Sequence, residues 1–223
     1  MSSTENNYKD SSNLTNWVRC MLYAQIVVAI ISMGSNFFEY QLLSDYQNGV
    51  YTSQEQAIAD GEANDQRQQM VALVYVAVFI VSGFLILRWI HRANYNARQL
   101  GAKDMEFTPG WSIGYYFIPI LTLWKPFQAM KEIWRASHNP DSWPTEKASS
   151  ILGLWWFLWI VTNMLGQAVL RMSAGAEELQ EFMRINILTQ VSDALAIPLA
   201  LVTLSIVNSI FRAQSAAYES ANK

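Results

Sequence analysis

Five stretches of this chain carry no charged side chain, and their lengths constrain the fold more than any other feature. Residues 20–38, 68–87, 107–124, 148–170 and 194–211 contain no Asp, Glu, Lys or Arg. A helix needs about 20 largely apolar residues to cross a hydrocarbon layer of about 30 Å. Four of the five runs meet this in length and in Val, Ile, Leu, Phe and Met content. Four such helices in one soluble domain would leave too little polar helix to cover them. The expected fold class is therefore an all-α membrane protein with four transmembrane helices, spanning about 18–39, 68–90, 148–171 and 191–211. Composition agrees. Charged residues make up 15% of the chain, against about 25% in ordinary soluble domains. An aromatic content of 13% excludes a disordered chain. The single cysteine, Cys20, excludes a disulfide framework. A net charge of −3 excludes a nucleic-acid binder driven by overall basicity.

The third run differs from the others. It carries Pro109, Gly110, Gly114 and Pro119, and Pro126 follows it. Pro109-Gly110 reads as a turn. Residues 111–124, bounded by Trp111 and Trp124, are then too short and too interrupted for a full span. They suit a re-entrant or interfacial piece. The basic residues point the same way. Four spans with both termini inside put Lys9, Arg19, Arg88, Arg92, Arg98, Lys103, Lys125, Lys131, Arg135, Lys147, Arg212 and Lys223 on one side. Only Arg67, Arg171 and Arg184 fall on the other. A fifth crossing at 107–124 would divide them almost evenly. Basic residues near span ends favour the cytoplasm, so both termini are expected there. No cleavable export signal is expected, because the first residues are polar and lack a basic n-region.

Three regions follow. Residues 1–15 read as a polar tail, 16–212 as a single membrane domain, and 213–223 as a C-terminal tail. Residues 40–67 read as an acidic outer loop, helical in part, and 172–190 as a shorter acidic loop. Ile90-His91-Arg92-Ala93-Asn94 with Ala97 is echoed 120 residues later by Ile210-Phe211-Arg212-Ala213-Gln214 with Ala217. This leaves open two helical hairpins in parallel repeat.

The inner segment, 88–149, is the most distinctive part. The second helix continues out of the bilayer through Arg88, Arg92 and Asn96 on one face, and Gly101 stops it. Lys125-Pro126 begins another helix, with proline near its first position. Phe127, Met130, Ile133 and Trp134 fall on one side of it; Lys131, Glu132 and Arg135 fall on the other. That pattern is an amphipathic interfacial helix. Trp89, Trp111, Trp124, Trp134 and Trp143 crowd the same side, as an aromatic belt does.

Arg92-Ala93-Asn94-Tyr95-Asn96-Ala97-Arg98 is followed by Leu100-Gly101 and by Phe107-Thr108-Pro109-Gly110-Trp111. Gly114, Phe117-Ile118-Pro119, Leu123-Trp124-Lys125-Pro126 and Ala129-Met130-Lys131-Glu132-Ile133-Trp134, with Ser137, complete the series. In these elements the chain resembles the bacterial membrane family termed domain of unknown function forty-three twenty-eight. The resemblance is specific over about 88–138 and looser from about 20 to 212. It implies a multi-pass protein of the bacterial inner membrane and implies no activity.

The chemical motifs are few. Gly110-Trp111-Ser112-Ile113-Gly114 matches the nucleophile-elbow spacing but lacks the strand–turn–helix context that chemistry needs. His91 and His138 are the two histidines, too few for a clustered metal site. No phosphate-binding glycine loop occurs. Gln25, Ser32, Asn36, Ser82, Thr162, Asn163, Gln167, Thr203, Ser205 and Asn208 lie within the spans, and Asp193 lies near the outer end of the fourth. Such groups ordinarily bond between helices. No enzymatic activity, cofactor or metal is expected. The candidate ligand-binding residues are Arg88, His91, Arg92, Asn94, Asn96, Arg98, Lys125, Glu132 and Arg135. Pro109, Gly110, Trp111, Gly114, Pro119 and Pro126 form the structural motif. Basic groups at an inner interface attract anionic headgroups at about 1 kcal/mol each. The same residues also suit mutual pairing, with the Asn amides closing carbonyls freed around a broken helix. The expected function is a binding or interaction module in the bilayer, its basic segment contacting anionic lipid, another anionic ligand or a membrane protein partner, and not nucleic acid. The alternative is a small transporter or channel built around 111–124.

Overall fold

The computed structural model describes residues 7–221. These residues form six helices and, among them, no strand: α1 (Ser12–Gln47), α2 (Gln54–Gln99), α3 (Trp111–Gly114), α4 (Lys125–His138), α5 (Ile151–Ser173) and α6 (Leu179–Ala221). α1, α2, α5 and α6 are each long and apolar enough to cross a membrane. Segment 107–124 contains no helix of that kind. It is broken into α3 and two 3-10 turns, Tyr115–Phe117 and Leu121–Leu123. Pro119 brings no N–H to a helical ladder, and Ile120 beside it sits at φ +69°, in the left-handed region that β-branched residues avoid. The chain therefore turns here instead of running on.

The helices extend beyond the apolar runs. Most of 40–67 is helix: α1 reaches Gln47 and α2 starts at Gln54. The first turns of α2 are rich in Gln, Ala and Glu, which are good helix formers. Adding turns to an existing helix carries no new nucleation cost. The second acidic loop shrinks in the same way to the residues between Ser173 and Leu179. α6 runs through most of the expected C-terminal tail. The expected N-terminal tail is helical from Ser12, where Asp10 accepts the Ser12 N–H at 2.9 Å and its hydroxyl at 2.6 Å. Residues 1–6 and 222–223 of those tails lie outside the described residues. Gly101 stops α2 with φ +111°, as its position after Leu100 predicts.

The chain divides into two compact units. One comprises the residues up to Leu22, Ser82–Phe157 and the residues from Leu201 onward; the other comprises Tyr23–Val81 and Leu158–Ala200. The first has an apolar interior of Val18, Leu22, Trp89, Ile90, Met130, Ile133, Leu152, Ile206, Val207 and Ile210. Ala93, Ala97, Ala129 and Ala136 are buried among them; small side chains let helix backbones approach closely. The second unit buries Val28, Ala29 and Ala200, but also Ser32, Ser35, Asn36, Asn64, Asn186 and Asp193. Its interior is largely polar.

The apolar side chains that the interior leaves out lie on the surface. The most apolar stretch of α2 has a mean hydropathy of 2.8 and is only 6% buried. Leu73, Val74, Val76, Phe79, Ile80, Val81 and Phe84 are all exposed. A continuous apolar face of this kind needs a non-aqueous neighbour, and lipid supplies one without further protein. Removing a lipid-facing side chain should therefore cost far less than removing a core one. Ile133→Ala, at a residue with no exposure, is expected to lower stability by about 2–5 kcal/mol. Phe79→Ala is expected to change it by less than about 0.5 kcal/mol. Denaturant titration in detergent micelles compares the two.

Candidate functional site

The inner segment is organised around one peptide unit. Asn94, near the end of α2, donates from Nδ2 to the Phe107 carbonyl at 2.9 Å. Arg98, one turn later, donates from Nη2 to the same carbonyl at 2.8 Å and to that of Met105 at 2.9 Å. Its Nε donates to Asn94 Oδ1 at 3.2 Å. From the opposite side, Glu132 of α4 accepts the Phe107 N–H at 3.0 Å and also that of Glu106. The Phe107 peptide is thus held at both ends. Asn94 has no exposure and Glu132 only 5%. Thr108 and Pro109 follow, and Thr108 Oγ1 accepts the Trp111 N–H at the start of α3. Glu132 falls on the polar side of α4 by sequence, yet the fold turns it inward, because the loop crossing α4 brings two N–H groups that need an acceptor.

The other candidate residues divide among separate tasks. Asn96 pairs with the backbone of Lys9, accepting from its N–H at 3.1 Å and donating to its carbonyl at 2.9 Å. Arg92 donates to the Asp10 carbonyl at 3.0 Å. Lys125 pairs with Glu106 at 3.1 Å and lies over the Phe107 ring. Arg88 lies beside the Phe84 ring and is exposed. His91 is exposed; desolvation, and then the charges of Arg92 and Lys9, hold its imidazole below its ordinary pKa. Ser112 donates to the Pro109 carbonyl at 2.7 Å and is fully buried, tying the turn that the glycines around it permit. The expected set therefore does not converge on one point. Asn94, Arg98 and Glu132 meet at Phe107, while Asn96 and Arg92 hold the residues before α1.

Arg135 belongs to a different place. With Lys131, Lys147, Ser149, Ser150 and Phe127 it lines a cleft of about 400 Å3 where α5 begins. Its Nε is buried and has no hydrogen-bond partner. Lys131 lies over the Phe127 ring, and that ring stacks on Trp156. Three cationic side chains and a helix N-terminus, which carries partial positive charge, converge here. Lys147, Ser149 and Ser150 are absent from the candidate set, because in sequence they look like an ordinary span boundary. A second cleft, of about 680 Å3, is lined by His138, Asn208, Ser209 and Arg212 with Leu201 and Leu204. His138 bonds Ser209 Oγ at 3.0 Å there.

Gln214 was also missed. It donates to the Ala93 carbonyl and to Ser137 Oγ, each at 2.8 Å. The 120-residue echo pairs it with Asn94, and both amides are buried, as are Ile90 and Ile210. That echo is the signal that could have found it. Among the described residues no group of His, Cys, Asp or Glu is placed to hold a metal ion.

Loss of the clamp should be felt in stability. Glu132→Ala leaves the Phe107 N–H without its acceptor and is expected to cost about 1–3 kcal/mol. Lys125→Ala, which breaks a pair whose Glu106 side is exposed, should cost less than about 1 kcal/mol. Burial pushes the Glu132 carboxyl above its ordinary value of 4.5, against the two backbone N–H groups that pull it down. The folded chain therefore holds that proton more tightly than the unfolded one. Stability should be highest at or below the ordinary value and decline as pH rises from there through the folded pKa. Denaturation in micelles at stepped pH reads this slope, which Glu132→Ala should remove.

The family model described as Domain of unknown function (DUF4328) matches residues 53–212. The match takes in α2, the clamp, the cleft at α5 and the apolar part of α6. No curated protein and no solved structure matches the chain. With the matched region covering most of its length, the chain belongs to the DUF4328 family.

Proposed function

We propose that this chain is a non-enzymatic protein of the bacterial inner membrane that binds the phosphate headgroup of an anionic lipid in the cleft between α4 and the start of α5. The observation that carries this reading is the buried Arg135 Nε, which has no partner while Lys131 and Lys147 line the same cleft. A buried guanidinium N–H without an acceptor is costly. A phosphate oxygen satisfies it and also meets the helix N-terminus favourably. Phe127 and Leu152 give the cleft an apolar wall, which suits the glycerol and upper acyl region of a lipid.

The membrane orientation in this proposal rests on the distribution of Lys and Arg, which puts both termini and the cleft on the cytoplasmic side. The broken segment 111–124 serves as an anchor in that leaflet. Trp111, Phe117, Ile120, Leu123 and Trp124 are exposed, and apolar and aromatic side chains of this kind lodge between headgroups and acyl chains. The clamp on Phe107 holds the segment where it does so. Arg88 and His91, both exposed, lie on the same side and add to the attraction for an anionic surface.

Native mass spectrometry of the micellar protein tests the headgroup reading. Phosphatidic acid should be retained in preference to phosphatidylcholine. Arg135→Gln should weaken retention about tenfold or more, the magnitude of a lost charged hydrogen bond, and Lys131→Gln with Lys147→Gln should weaken it further. Equal retention of both lipids, or retention indifferent to all three changes, overturns the reading. Displacement of the lipid by inorganic phosphate at comparable concentration would assign the cleft to a free anion instead.

A further inference from the structure

The second unit buries a carboxyl group that the lipid-binding reading does not use. Asp193, on α6, is 3% exposed. Its side chain bonds to Ser32 of α1, to Tyr75 of α2 and to Asn36 of α1, the last from Nδ2 at 3.4 Å. At about 1.5 Å per residue, Ser32, Tyr75 and Asp193 each lie about 10–13 Å along their helices from the nearest outer charge: Glu39, Arg67 and Arg184. Three helices therefore bring these groups together at similar distances from their flanking charges, in or beside the charge-free runs 20–38, 68–87 and 194–211. Among the described residues no cationic side chain pairs with it. An ionisable residue in a membrane interior is expensive and is retained where it has work to do. Its partners here are two hydroxyls and an amide, which hold a carboxyl without neutralising it.

A chain of polar groups leads from Asp193 to the acidic end of the bundle. Asn36 Oδ1 accepts from Gln68 Nε2 at 3.2 Å. Gln68 Oε1 accepts from Ser35 Oγ at 3.2 Å, and Ser35 Oγ accepts from Arg67 Nε at 3.1 Å. Arg67 also bonds Asn64 Oδ1. A second branch starts at the Asn36 carbonyl, which accepts from Asn186 at 3.0 Å; Asn186 also donates to Glu39, and Gln190 donates to Asn186 Oδ1. The titratable and charged groups facing this interior are Tyr75 and Arg67 on α2 and Glu39 on α1. α5 brings no charged side chain between residues 158 and 170. Pro198 has no N–H for the Ala194 carbonyl, so the α6 ladder leaves an acceptor one residue past Asp193.

We propose that Asp193 is an intramembrane proton-binding site, reached through Asn36, Gln68 and Ser35 from the face of the membrane that carries the α1–α2 and α5–α6 loops. A carboxylate oxygen takes the proton from hydronium arriving at that face, leaving water, and returns it to water on release; Asn36, Gln68 and Ser35 line the way with polar groups and carry no proton themselves. No redox partner or covalent change is involved. Neutralisation by a proton removes the cost of a charge in lipid, and the hydroxyl and amide partners keep the ionised form within reach.

pH-difference infrared spectroscopy of the full chain in lipid nanodiscs tests this. The carbonyl stretch of a protonated carboxyl should grow as pH is lowered and vanish as it is raised again. Asp193→Asn should abolish that band. Tyr75→Phe removes a donor to the carboxylate and should move the midpoint to higher pH, which keeps the test alive if the Asn variant misfolds. Gln68→Leu cuts the chain and should slow the change after a pH jump. The proposal fails if no Asp193-dependent band appears. It fails equally if Tyr75→Phe leaves the midpoint unmoved, if Gln68→Leu leaves the rate unmoved, or if added sodium displaces the titration as a bound cation would. None of these outcomes depends on the headgroup cleft.

Discussion

The Phe107 peptide, gripped by Asn94 and Arg98 on one side and Glu132 on the other, is the contact on which the segment between α2 and α4 depends. The chain between α2 and α4 has no long helix to pair its own N–H and C=O groups. Each backbone group buried without a partner would cost about 1–3 kcal/mol. Three side chains with bonds of 2.8–3.0 Å meet that demand at one residue. Fixing Phe107 sets the course of Thr108 and Pro109, and so the direction in which α3 and the turns after it depart.

The two units solve burial by different means. The first packs Leu, Ile, Val and Trp around alanines and spends its amides on backbone: Asn94 on Phe107, Asn96 on Lys9, Gln214 on Ala93. Each of these pairs joins segments far apart in sequence or closes a broken stretch. The second unit packs few large apolar groups and bonds side chain to side chain, through Asn36, Gln68, Ser35, Arg67 and Asn186. Apolar side chains that a soluble protein would bury there instead face outward, as Leu73, Phe79 and Ile80 do. That inversion is what lipid as solvent requires. It leaves the interior to polar groups such as Asn36, Asn186 and Asp193.

Four long apolar helices, the stop at Gly101, the turn at Pro109-Gly110 and the start of α4 at Lys125 were legible in the sequence, because each is written in local signals: charge-free length, φ restriction, a missing N–H. α2 and α6 extend further beyond the apolar runs than polarity suggests, since Gln, Ala and Glu look like loop when judged by polarity and like helix when judged by propensity. The candidate site was legible only as a list. Glu132 sits on the polar side of α4 by periodicity but is buried, and Arg135, three residues on, faces a different cleft. Periodicity assigns a face; it does not say which loop will cross that face.

The sequence by itself determined that four apolar helices exist, that residues 107–124 do not make a fifth, and that the basic residues gather at one end. Those are consequences of solvation and backbone geometry, which act residue by residue. Only the tertiary structure decided that Asn94, Arg98 and Glu132 share one peptide, that Lys131, Arg135 and Lys147 surround one cleft, and that Ser32 and Tyr75 bond to Asp193. Such meetings depend on the rotation of each helix about its axis and on its offset along its neighbour. Both are set by packing between residues up to about 160 positions apart and by no local signal.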